Sequence, residues 1–347
     1  MIGHSMDTSV AQFQDLSCVV HLHSTHSDGT GTVEEIAAAG RANGLDVILL
    51  TDHDTLAARD RGEDGWRGSV LVLVGEEVSP KDQNHYLAFG IDEVIDHTGM
   101  TPADIAAAVR EAGGFGFAAH PFSRGNPALG RAAKAMPWRD LECVDGIELW
   151  NFVGDSGEQF AGWRDALRFL RAPQRFMPDP PQHNLDAWDR LGRARRVAVI
   201  GGLDAHQVGK RIAGRVPVKL MSYERSFRML TTHVLVPDLM SGDLARDRAM
   251  VFDALRAGRT YIARDWLAPA RGFSFTRMGE ETTERPRLEV RLPRPAAVRL
   301  LRDGEVVASA DDAAELDHDP VTSGVYRVEA RIGGRVWILS NAVYLRD

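Results

Sequence analysis

At 347 residues the chain is long enough for one large domain or two. A composition of 44% hydrophobic and 26% charged residues suits a soluble globular protein, and a net charge of −8 argues against non-specific binding to nucleic-acid polymers or anionic membranes. Two cysteines, Cys18 and Cys143, exclude a disulfide framework. No basic start followed by an apolar core marks a signal peptide, and no apolar run nears the ~20 residues of a membrane span, so a cytoplasmic protein is expected.

In chain order, Val19–His23 reads as a short apolar strand ending in His-Leu-His, whose period of two turns His21 and His23 the same way. Asp28-Gly29 turns the chain, and Thr32 with Glu35 forms a capping box for a helix over Val33–Ala42, closed by Gly44. Val47–Leu50 is an apolar strand leading to Thr51-Asp52-His53-Asp54, and Val70–Val74 another, leading to Gly75-Glu76-Glu77. Tyr86–Phe89 is a short strand with His85 at its start, and Thr101 caps a helix that runs through Glu111. Phe115–Ala119 delivers His120-Pro121, and Gly146–Leu149 carries Glu148 and ends at Trp150-Asn151. An irregular insertion at about 125–195 predicts helices and loops over the mouth of a site. Val197–Ile200 leads to Gly-Gly-Leu-Asp204-Ala-His206, and a helix over Met250–Ala257 precedes the strand Thr260–Ala263.

Apolar strands alternating with helices predict a parallel α/β barrel, whose active site collects at the C-terminal strand ends. Polar clusters recur there, after Val20, Leu50, Val74, Ala119 and Ile200. From about Arg271 short alternating strands with Asp303-Gly304 and Gly333-Gly334 hairpin turns predict a small all-β, immunoglobulin-like sandwich. The division expected is a barrel over 1–268 and a β-domain over 269–347.

The clusters offer His21, His23, Asp28, His53, Glu77, His85, His120, Asp204 and His206, the nitrogen and oxygen donors that zinc, manganese and iron prefer. They are too many for one ion and suit two or three with a bridging carboxylate. Neither a Gly-x-Ser-x-Gly elbow, a phosphate-cradling Gly-rich loop nor a dinucleotide fingerprint occurs. Hydrolysis by a metal-bound hydroxide is what remains, and the expected mechanism has that hydroxide bridge two metals.

The motifs HLHSTHSDG, TDHDT, GEE, HYLAFG, HP and GLDAH, in this order, resemble the PHP (polymerase and histidinol phosphatase) superfamily over about residues 17–265. The resemblance implies a distorted (β/α)7 barrel with a two- or three-metal site and, mostly, phosphoesterase activity. By position it implies a first metal on His21, His23, Glu77 and Asp204, and a second on Glu77, His85 and His120. It places a third on Asp28, His53 and His206. The spacing Gly-x-Glu selects Glu77 over its neighbour Glu76, Leu203 stands where the superfamily usually has Ser, and the Arg after His-Pro comes later, as Arg124. The C-terminal half, ending in Ser-Asn-Ala-Val-Tyr, with Trp150-Asn151 after Glu148, is similar to carbaryl hydrolase-like PHP metallohydrolases, some of which cleave a carbamate.

The expected function is therefore a metal-dependent, amidohydrolase-like hydrolase acting on a small-molecule phosphate ester. Ester, amide or carbamate hydrolysis at the same metals is the alternative, and a non-catalytic metal-binding or structural module a further one. Arg124, Lys210, Trp150 and Asn151 are the candidate substrate contacts. His206, His26 or a metal-bound water is the candidate proton donor. Asp52 and Asp54 flank His53 as acceptors able to orient imidazoles, with helix capping open to them too, and Glu76 joins them beside Glu77. Histidines 4, 97, 183, 233 and 318 read as ordinary core or surface residues. Oligomeric state is left open.

Overall fold

The computed structural model describes residues 13–81, 85–126, 138, 140–207, 209–212, 216–219 and 221–347, with the side chains of 209–212 and 216–219 left aside. Its first strands are β1 (Gln14–Val20), β2 (Val47–His53), β3 (Gly65–Arg67) and β4 (Val70–Val78). They continue with β5 (Tyr86–Phe89), β6 (Phe115–Ala118), β7 (Gly146–Asn151) and β8 (Ala198–Gly202). Between them lie α1 (Val33–Ala42), α2 (Ala57–Asp60), α3 (Pro102–Glu111), α4 (Phe152–Gly157), α5 (Trp163–Arg171) and α6 (Gln182–Ala194). The expected capping box forms at Thr32, which accepts from Glu35 N, and the expected cap Thr101 forms one as well by accepting from Asp104 N; the Glu35 and Asp104 carboxylates return the bond.

Seven of these strands form a closed ring. β1 runs parallel to β2, and β2 to β4; β5 is inverted between β4 and β6; β6, β7 and β8 are parallel again. Closure comes just past the strand ends. Leu22 bridges Ala205 in parallel, with Leu203 N donating to Val20 O at 3.0 Å and His23 N to Ala205 O at 3.0 Å. The inverted β5 is the distortion in an otherwise parallel barrel. Glycine permits it: a Cβ on Gly75 would stand 2.4 Å from Ala88 O, so only glycine lets β5 approach there.

Alternation sorts the strand residues into two cores. Cys18, Val20, Val47, Leu49, Leu71, Leu73, Phe115 and Phe117 share the core on the face that carries His53 and Glu77. Val19, Ile48, Leu50, Val72, Val74, Ile147 and Val199 share the other, with Ile36 of α1 and Ile105 of α3.

The chain continues through the hairpin β9 (Gly209–Ile212) and β10 (Val216–Lys219), the short helix α7 (Tyr223–Ser226), β11 (Thr231–Val236), α8 (Leu244–Ala257) and β12 (Thr260–Ala263). The sequence reading lacked β11 and the hairpin and began the last helix at Met250. It starts six residues earlier because Asp243 caps it, accepting from Arg246 N. The C-terminal strands are β13 (Ser274–Phe275), β14 (Glu281–Thr282), β15 (Leu288–Arg302), β16 (Glu305–His318), β17 (Gly324–Ile332), β18 (Arg335–Ser340) and β19 (Val343–Leu345). This region is all-β, with turns at the expected Asp303-Gly304 and Gly333-Gly334. Two of its strands, β15 and β16, are longer than the short strands expected, and the sheet is continuous with the barrel through β18–β12, β12–β11 and β11–β1. A buried ion pair adds to the joint: Arg327 of β17 donates to both oxygens of Asp189 in α6, at 2.9 and 3.0 Å.

His233 of β11 is clamped in this joint. Its Nδ1 lies 2.7 Å from Asp15 Oδ1, its Nε2 lies 3.0 Å from Asp265 Oδ2, and its ring stacks on Tyr261 at 4.4 Å. Burial opposes its charge, but the two carboxylates outweigh burial and push the imidazole up to about 9. The folded value exceeds the unfolded one, so this stabilisation is full below about pH 6.5 and lost as pH rises through about 9. The shift bounds the effect at about 3 kcal/mol. His233→Gln should therefore lower the melting temperature most at pH 6, and its deficit against wild type should shrink by pH 10 in parallel thermal melts.

Candidate metal centre

Glu77, at the end of β4, is the hub. It is 1% exposed, and its two oxygens face different rings. Oε2 lies 3.2 Å from His21 Nε2, 3.2 Å from His23 Nε2 and 3.3 Å from His53 Nδ1. Oε1 lies 2.8 Å from His85 Nδ1 and 3.5 Å from His120 Nε2. Asp204 Oδ1 approaches His21 Nε2 at 3.6 Å and His23 Nε2 at 3.5 Å. Asp28 Oδ1 lies 3.2 Å from His206 Nε2, 3.7 Å from His53 Nε2 and 3.8 Å from His23 Nδ1. All nine candidate ligands thus meet, in overlapping groups compact enough for an ion each. His85 reaches the cluster although it precedes its strand, because β5 runs the opposite way.

Local backbone geometry aims these rings. In β1, Cys18 and Val20 face the side that Glu77 occupies, so unbroken alternation would turn Leu22 inward and both histidines away. His21 instead adopts φ 63°, a left-handed conformation that reverses the alternation and turns His21 and His23 to the site. His120 does the same after β6 at φ 30°, and Asp204 has φ 51°. Strain at three site residues is the kind that surrounding structure must hold in place.

The electrostatics are those of a converged donor set. Burial would raise Glu77, but the imidazoles packed against it, His21 foremost, hold it well below the usual carboxylate range. Burial would lower His23, but Asp204 and Glu77 push it up to about 9. Nε2 of His21, both ring nitrogens of His23 and Oε2 of Glu77 are buried without a hydrogen-bond partner. Converging nitrogen and carboxylate lone pairs with nothing to bind fit divalent metal ions.

Supporting residues surround the cluster. His53 Nδ1 lies 2.6 Å from Ser79 Oγ, whose own proton goes to Glu77 O at 2.7 Å, so Ser79 accepts from His53 and leaves Nε2 free toward Asp28. Asp52 grips the loop after His23 rather than a ring, accepting from Ser24 N, Ser24 Oγ and Ser27 Oγ at 2.6–2.7 Å. Asp54 accepts from Ser79 N at 2.8 Å and lies 3.2 Å from His97. Glu76 points to the opposite face of β4 from Glu77 and accepts from Ile95 N at 3.1 Å; burial pushes it up to about 7.

Of the remaining candidates, His206 is itself one of the nine, and none of the others belongs to the ligand groups. His26 Nε2 lies 2.5 Å from Glu63 Oε2. Both nitrogens of His206 are engaged, Nε2 by Asp28 and Nδ1 by Asp204 O at 3.0 Å. Trp150 is fully buried in the core under the Arg264 guanidinium, 4.4 Å from its ring centre, because a bulge after Glu148 shifts its register. Asn151 caps α4 and lines a small cavity with His120 and Glu148. Arg124 is exposed, with its backbone N donating to Glu158. The side chain of Lys210 lies outside the described residues, as does His4.

Sequence reasoning missed Glu148 as a site residue. It is 1% exposed on β7 and accepts from His21 Nδ1 at 2.8 Å and from His120 N at 2.6 Å. The available signal was an acid at a strand's C-terminal end, as for Glu77.

Comparison with known proteins gives the following. No family model matches the chain. It is 37% identical over 83 residues to a phosphoribosyl 1,2-cyclic phosphate 1,2-diphosphodiesterase of Eggerthella lenta, a match spanning 21% of this chain and 30% of that relative. It is similar to a two-domain protein from Bacteroides vulgatus containing a predicted PHP-like metal-dependent phosphoesterase (16% identity, 95% of each chain, TM-score 0.45). It is also similar to PsfC from Pseudomonas syringae (13% identity, 74% of this chain and 94% of that one, TM-score 0.45). No described helix is long and apolar enough to cross a membrane.

The unpartnered donors generate a direct prediction. Chelator-stripped protein should gain thermal stability on addition of Zn2+ or Mn2+, by about 2.7 kcal/mol at a hundredfold excess over Kd. Glu77→Ala should abolish most of that gain in the same melts.

Proposed function

We propose that the chain is a metal-dependent hydrolase of the PHP kind, acting on a small-molecule phosphate ester. The observation that carries this reading is the orientation of Glu77. One oxygen faces His21 and His23, and the other faces His85 and His120, as a bridging carboxylate would. In this reading His21, His23, Asp204 and Glu77 hold a first divalent ion, and Glu77, His85 and His120 a second. Asp28, His53 and His206 hold a third.

When bound, such ions acidify water at neutral pH and draw off the negative charge that an in-line displacement at phosphorus builds up. The chain's own residues set the stage for that. Ser79 turns His53 so that Nε2 faces Asp28, and Asp52 fixes the loop from Ser24 to Ser27 behind the first ligands. Both nitrogens of His206 are occupied and His26 Nε2 is held by Glu63 apart from the ligand groups, so neither histidine is assigned as proton donor to the leaving group.

The test is metal analysis of the purified chain joined to a substrate panel of p-nitrophenyl phosphate, its diester, nucleotides, and aryl esters and carbamates. Two or three zinc, manganese or iron ions per chain are expected. Phosphoesterase activity should fall by a factor on the order of 10² or more in His23→Ala and Asp204→Ala. Turnover of esters or carbamates alone would replace phosphorus by carbon as the reacting centre. A chain that neither binds metal nor turns over any substrate after Mn2+ or Zn2+ addition would overturn the reading.

A further inference from the structure

We propose that Glu148 is a positioning residue that sets two of these ligands at once, fixing the tautomer of His21 and the backbone of His120. The inference rests on the metal-centre reading above. Glu148 leaves β7 on the same side as the cluster, 1% exposed, and each of its oxygens has a separate task. Oε1 accepts from His21 Nδ1 at 2.8 Å. A carboxylate oxygen only accepts, so Nδ1 carries a proton, and in the neutral ring the lone pair is left on Nε2. That nitrogen is the one 3.2 Å from Glu77 and 3.6 Å from Asp204, buried with no other partner. Oε2 accepts from His120 N at 2.6 Å, at a residue whose φ of 30° must be held by its surroundings.

Two further observations show that the carboxylate is built into the site. Both residues it holds, His21 and His120, are those whose left-handed backbone turns a strand end toward Glu77. The space it occupies is also reserved. A Cβ on Gly202 of β8 would lie 1.7 Å from Glu148 Oε1, so β8 passes this carboxylate only as glycine.

Glutamine is the informative replacement because it keeps the shape and only one acceptor. If its oxygen serves His21, its NH2 opposes the His120 N–H; if its oxygen serves His120, its NH2 forces the His21 proton to Nε2. One ligand is disturbed either way. The experiment is competition of chelator-stripped, full-length wild type and Glu148→Gln against a chromophoric chelator for Zn2+, with thermal melts of both stripped proteins. Wild-type protein labelled with 15N-histidine and loaded with Zn2+ supplies the ring tautomers by NMR. We expect E148Q to bind its tightest zinc 10–100-fold more weakly. His21 of wild type should be protonated at Nδ1. Affinities within twofold of each other, or a His21 without a proton on Nδ1, would overturn the proposal while leaving the metal centre intact. Wild type that takes up no zinc would overturn both. Should E148Q fail to fold, the wild-type tautomer decides alone.

Discussion

One buried carboxylate surrounded by five imidazoles is the constraint the fold is arranged to satisfy. Removing Glu77 from water costs several kcal/mol unless partners compensate, and its partners come from β1, β2, the approach to β5 and the exit of β6. No single local segment could supply them. The inverted β5 follows from the same need, since His85 precedes its strand and reaches Glu77 only because that strand runs backwards. Gly75, two residues before Glu77, provides the close approach that makes the inversion fit.

The site draws its precision from broken regularity at the strand ends. A left-handed non-glycine residue costs roughly 1–2 kcal/mol, and the cluster contains three of them. At His21 and His120 this cost reverses the alternation, placing a ring where an apolar side chain would otherwise point. The hydrogen bonds of Glu148 fall on these two residues, and barrel closure falls beside them, with Ala205 N donating to His21 O at 3.3 Å. Strand closure and ligand placement are thus one piece of geometry. The site could not be loosened at His21 without opening the seam between β1 and β8.

Much of this was legible in the sequence, for physical reasons specific to each element. Both capping boxes name their helices because Thr and an acid three residues later satisfy orphan amides locally. Most of the nine candidate ligands are legible because each is a His or an acid close to a run of Val, Ile, Leu, Phe or Ala, whereas Asp28 stands out by its place in the His- and Ser-rich loop after His23. The reversal at His21 was not, since no residue type announces a left-handed histidine; the period of two paired His21 with His23 correctly but with the wrong face of β1. Glu148 was seen and passed over, because an orienting acid carries no spacing signature of its own. By its sequence β15 reads as two strands, Leu288–Leu292 and Val298–Leu301, since Pro293 and Pro295 punctuate it. The structure accommodates them in a stretch where pairing with β16 skips from Arg291 to Ala296, so the missing N–H groups leave no ladder bond unmade.

The all-β C-terminal region bears on the site through β1. The first half of that strand pairs antiparallel with β11, from Gln14 to Cys18, and its second half pairs parallel with β2 from Cys18 to Val20. β11 passes the same sheet on through β12 to β18, and Asp15, His233 and Tyr261 lock the three strands by side chains. A displacement of the C-terminal sheet would therefore act on β1 three residues before His21, whose left-handed turn must be held from both sides. Arg327 and Asp189 tie the same sheet to α6, which in turn fixes β7 through the bond from Asn184 Nδ2 to Leu149 O at 2.9 Å, next to Glu148. Two routes of packed structure thus lead from the β-region to the two strands that set His21. This makes the region a brace for the candidate metal centre, in addition to whatever surface it presents.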